Sequence, residues 1–126
     1  MSLIIDDDGT MYLYQGDSGE VVVYGLDPEK KYTVYFAIQD KNRKLIGEEL
    51  QVGVNNSDTV TFILTSEYTD LLEVSKQKPF EIYFYGIKAC EDGTSREDTL
   101  FVTGNTYGDL NQIIVFPRKV NGALNG

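Results

Sequence analysis

Hydrophobic and polar positions alternate along much of the chain. In Tyr32–Gln39, Tyr32, Val34, Phe36 and Ile38 alternate with Thr33, Tyr35, Ala37 and Gln39. Side chains two apart share one face of a strand, so the first set is expected to enter a core and the second to face outward. The stretch Phe80–Ile87 repeats the pattern, with Phe80, Ile82 and Phe84 assigned to the core and Glu81, Tyr83 and Tyr85 to the outer face. In Val60–Leu64 the inward set is Val60, Phe62 and Leu64.

Shorter runs of the same kind are MYLYQ (11–15), EVVVY (20–24), LIGEELQVGV (45–54), TLFVT (99–103) and QIIVF (112–116). Between them lie Asp27-Pro28-Glu29-Lys30, Asp40-Lys41-Asn42-Arg43, Asn55-Asn56-Ser57-Asp58 and Glu91-Asp92-Gly93. Pro presets a turn angle, and Asn and Asp bond back to nearby amides, so these segments read as tight turns. About eight short strands at this spacing imply a sandwich or barrel, with pairing mostly antiparallel because no helical crossover fits. The exception is Thr65–Pro79, where Thr65 suits a helix N-cap and Glu67 and Asp70 sit early, where the helix dipole favours negative charge. Leu71, Leu72 and Val74 give it an apolar side, and Pro79 limits it to a helix of about two turns.

At 126 residues the chain is the size of one domain, residues 1–126, with residues 1–9 and 118–126 expected to be irregular ends. Nine Tyr and six Phe favour pleated, half-buried surfaces. Twenty Asp and Glu against eleven Lys and Arg give a formal charge of -9 without a local basic run. Nucleic acid and an anionic membrane both recruit clustered cations, so neither is expected as a partner. No apolar run approaches the roughly 20 residues of a membrane span, and the N-terminus lacks the basic and apolar regions of a secretion signal. Cys90 is the one cysteine, which excludes an intramolecular disulfide and suits a reducing compartment.

The candidate chemistry is sparse. Gly16-Asp17-Ser18-Gly19 lacks the Gly-x-Ser-x-Gly frame of a nucleophile elbow, and a chain without His has no usual base for Ser or Cys. No Lys-Ser/Thr pair follows the glycines, which removes a phosphate loop. Gly16, Asp17, Ser18 and Gly19 therefore read as a structural turn or bulge between strands. Asp6, Asp8 and Gly9 match the middle of a calcium loop, but its first ligand would be Ile4 and its last Gln15. One thiol and no imidazole cannot build a zinc shell. Glu48 and Glu49 are adjacent in an extended segment and point to opposite faces, unlike a glycosidase pair. No cofactor is expected. Tyr35, Tyr83 and Tyr85 are the candidate interface: on paired strands their rings would form an outward strip of the kind enriched at protein contacts.

Five stretches carry a resemblance. They are the turn at Gln15-Gly16-Asp17-Ser18, the strand Val34–Ile38, the segment Val60–Thr69, the aromatic strand and Gly-containing hairpin of Phe80–Val102, and the terminal strand before Pro117. In this order they resemble the N-terminal domain of the upper baseplate protein of siphophages and its stand-alone phage and prophage relatives. Gln15 stands where that family often has Arg, and Arg118-Lys119 where an acidic ending is common. The resemblance implies an all-β, Ig-like antiparallel β-sandwich that organises tail-tip proteins and is not an enzyme. Its expected partners are other tail or baseplate proteins and further copies of itself, in the virion or in the host cytoplasm during assembly. The alternative reading is a carbohydrate-binding or adhesion module that uses the Tyr strip with calcium at Asp6 and Asp8.

Overall fold

A computed structural model of the chain describes residues 3–102 and 111–120. In chain order the elements are β1 (Leu3–Ile5), β2 (Met11–Tyr14), β3 (Gly19–Tyr24), β4 (Lys31–Gln39), β5 (Leu50–Asn55), β6 (Thr59–Leu64), α1 (Ser66–Thr69), β7 (Glu81–Glu91), β8 (Glu97–Leu100) and β9 (Gln112–Phe116). One sheet runs β1-β2-β9-β7-β4-β5, with β8 also paired to β7; β3 and β6 form a second sheet. Every pairing is antiparallel except β2 with β9, which is parallel.

The alternation places the core between the two sheets. Val34, Phe36 and Ile38 from β4 meet Val60, Phe62 and Leu64 from β6, all buried as their spacing predicts. The Phe36 and Phe62 rings lie 5.5 Å apart across the layers, and Phe36 also stacks on Tyr85 at 5.8 Å. Burying each such ring contributes about 1.5–3 kcal/mol, enough to fix which face of β4 turns inward. Leu13, Val115 and Ile113 extend the core under β2 and β9.

The chain departs from the sequence expectation at both ends of its order. Leu3–Ile5, within the terminus expected to be irregular, pairs with β2; its Leu3 and Ile5 are partly buried against the core. The strand expected from Leu45 begins only at Leu50. The expected TLFVT strand is ordered as Glu97–Leu100, while Thr103 and residues 121–126 lie outside the described residues. Helix α1 is one turn rather than two. Thr65 caps it, accepting from the Tyr68 N–H at 3.2 Å. Beyond Asp70, Leu71 and Leu72 bond three residues back, to Tyr68 and Thr69, and this tighter winding drops Leu72 into the core.

Candidate interaction surface

The expected tyrosine strip does not exist. Tyr35 faces outward from β4, half-buried, opposite Lys88 of β7. Tyr83 and Tyr85 point the other way, into the core, and are 7% and 5% exposed. Their hydroxyls are satisfied by backbone carbonyls: Tyr83 donates to Glu73 and Tyr85 to Gly9, each at 2.5 Å. A phenol with such a partner is a large apolar side chain, which is why these positions tolerate burial. Burial also pushes the Tyr85 phenol up to about 12, with the Asp8 charge adding to the effect, and raises that of Tyr83. The inward set of β7 is thus Tyr83, Tyr85, Ile87 and Ala89, and Ile82, Phe84, Gly86 and Lys88 stand outside.

This reversal leaves an apolar outer face on the larger sheet. Ile4 lies opposite Tyr12, Tyr12 opposite Ile114, and Ile114 opposite Ile82, a single row across four strands. In the next row Tyr14 lies opposite Phe116, with ring centroids 5.3 Å apart. Phe80, just before β7, is 39% exposed, and Ile4 is 52% exposed. Around Phe80, Ile82 and Phe84 the surface sinks into a groove of about 550 Å³, bounded by Pro79, Gln112, Lys41 and Lys78. Further along β7 a hollow of about 440 Å³ opens where Ala37 lies opposite Gly86, so neither strand supplies bulk. Tyr35, Phe84, Lys88 and half-buried Cys90 form its walls. The alternation of QIIVF and FEIYF does not mark this face, because apolar or aromatic residues occur at both parities and the one charge, Glu81, sits on the inward parity of β7.

The Gly16-Asp17-Ser18-Gly19 segment is a turn, as read from its composition, but it carries the chain from β2 in one sheet to β3 in the other rather than closing a hairpin. Gly16 adopts φ +86°, and a Cβ there would overlap the Arg118 guanidinium. That guanidinium pairs with the Asp70 carboxylate. Gln15 Nε2 donates to the Asp70 carbonyl at 2.8 Å, and Thr69 Oγ1 to the Asp17 carbonyl at 2.7 Å. Turn, helix and the segment after β9 are therefore tied together.

The acidic arm also forms a turn, between β1 and β2. The Asp7 N–H donates to Asp6 Oδ1 at 2.9 Å and the Thr10 N–H to Asp8 Oδ1 at 3.0 Å. The Thr10 amide foremost, with the Thr10 hydroxyl adding to it, holds the Asp8 carboxyl below its ordinary value. Asp6 also faces the Tyr12 hydroxyl. Among the described residues no three acidic or thiol side chains gather around one point as a metal shell would require.

No protein-family model matches the chain, and no curated protein does. Among solved structures it is similar to one titled "Crystal Structure of the Periplasmic Chaperone SfaE", with a TM-score of 0.56 and 10% sequence identity. The likeness covers 93% of this chain and 57% of that one, so the chain spans a little over half the length of that structure. Identity this low speaks for the backbone arrangement alone. Together with the two packed sheets, it makes the chain an all-β, Ig-like β-sandwich.

Proposed function

We propose that this chain is a non-enzymatic assembly module of a phage or prophage tail, which holds neighbouring baseplate proteins in place within the virion. The observation that carries the reading is the apolar row Ile4, Tyr12, Ile114 and Ile82 on the outer face of the larger sheet, which no other element among the described residues covers, in an otherwise acidic sandwich. Partly exposed aromatic and aliphatic side chains grouped on one sheet face favour protein contact over solvent. The resemblance to siphophage baseplate domains supplies the setting, and its segments fall on β4, on the run from β6 into α1, on the β7–β8 hairpin and on β9.

Co-expression with the tail proteins encoded beside it tests the proposal. A complex should survive purification and be lost in Phe80→Glu, whose side chain is exposed and whose exchange leaves the core intact. A folded wild-type protein that captures none of its tail-protein neighbours would remove the reading.

A further inference from the structure

The charged groups around the apolar face are distributed unevenly. At the end of the sheet near Phe80 and Phe116 stand Lys41 and Lys78, which border the groove, and Lys119, whose Nζ lies 5.9 Å from the Tyr14 ring centroid. At the opposite end, past Met11, stand exposed Asp6 and Asp7, with the Tyr12 hydroxyl directed at Asp6. A cationic end is unexpected on a chain of charge -9. Lys78 is bridged to Glu81 at 3.2 Å and Asp40 stands beside Lys41, so the contrast with Asp6 and Asp7 falls mainly to Lys119, for which no ion pair is seen among the described residues.

We infer that this face pairs with the same face of a second copy, related by a two-fold axis lying in the interface and perpendicular to the strands. The inference rests on the assembly reading, since it uses the same surface and names its first occupant. Such an axis lays row upon row of apolar side chains, reverses the strand direction, and keeps each strand over its own counterpart. Lys119 of each copy, beside β2, then faces Asp6 and Asp7 of the other, also beside β2. The alternative two-fold, parallel to the strands, brings the lysine-bearing ends of the two copies together, and like charges brought together oppose association. Charge thus selects one orientation, while the apolar row supplies the area. Twisted sheets packed face to face cross at about 30°, which the row can accommodate because it runs across the strands near their middle.

The test is sedimentation of the full chain from micromolar to submillimolar concentration, at low and high salt. The wild type should dimerise reversibly, more weakly as salt rises. Lys119→Glu should weaken the dimer at least about tenfold, and so should Asp7→Lys. Carrying both substitutions in one chain should restore it, because each reversed residue then meets a reversed partner; melting curves verify that all three variants fold. A wild-type monomer throughout, a dimer indifferent to the single reversals, or a double variant as weak as the singles would overturn the inference. A monomer that still binds tail proteins through Phe80 removes the self-pairing and leaves the assembly proposal standing.

Discussion

The Tyr85 hydroxyl donates to the Gly9 carbonyl at 2.5 Å across a sequence separation of 76 residues, tying the middle of β7 to the turn before β2. Tyr68 offers the contrast: its hydroxyl is buried and finds no partner among the described residues. Removing one member of a buried hydrogen bond strands the other, whereas removing an unpaired hydroxyl relieves its desolvation. Tyr85→Phe is therefore expected to destabilise the fold by about 1–2 kcal/mol and Tyr68→Phe to leave it unchanged or slightly more stable. Urea unfolding of the two variants checks the opposed signs.

The parity of β7 shows how much was legible in the sequence. For β4 and β6 the two faces differ sharply, with Val34, Phe36 and Ile38 against Thr33 and Gln39, so alternation alone orients them. Over Phe80–Tyr85 apolar or aromatic residues occur at both parities, and the charge of Glu81 together with the Tyr hydroxyls assigns the wrong parity to the outside, which reverses the strand. The deciding residues lie beyond that window. Gly86 and Lys88 occupy one face while Ile87 and Ala89 occupy the other, and burying an unpaired Lys costs far more than burying two bonded phenols. Reading the whole eleven-residue strand orients it correctly and exposes the face that carries the proposed contact. The parallel β2–β9 pair had no local signal, because it joins segments from opposite ends of the chain.

The turn at Gly16 combines two constraints that mutation separates. Its φ of +86° penalises any side chain, and a Cβ there would also displace the Arg118 guanidinium from Asp70. The left-handed backbone alone costs about 1–2 kcal/mol for an L-residue. Gly16→Ala should exceed that in the wild type and fall back towards it in an Arg118→Ala background, where the guanidinium is gone. A double-mutant cycle on thermal or urea unfolding measures the difference; strict additivity would refute the overlap.

Thr69 joins the single turn of α1 to the Gly-Asp-Ser-Gly segment. It is 1% exposed, and its Oγ1 donates to the Asp17 carbonyl at 2.7 Å while also approaching the Ser66 carbonyl. Thr69→Val keeps the shape and removes the donor, so a loss of about 1 kcal/mol is expected. Thr69→Ser keeps the donor and loses a methyl group. Amide exchange should separate the two: the turn and helix are expected to exchange faster in the Val variant only, whereas equal protection in both would show that the hydroxyl contributes nothing.

Alkaline pH probes the buried phenols directly. Burial pushes Tyr68 and Tyr85 up to about 12 from an ordinary value of 10.0, and Tyr83 is shifted in the same direction. In this range the unfolded chain releases protons that the folded chain retains, so folding stability falls as pH rises. The contribution of these tyrosines is complete below pH 10 and is lost between 10 and about 12. The melting temperature should therefore decline steeply across that window, and less steeply in Tyr85→Phe. Tyrosinate absorbance from the buried rings should appear only late, together with unfolding. A single stage near the ordinary value, in a chain that stays folded, would contradict the burial of Tyr83 and Tyr85 and with it the orientation of β7.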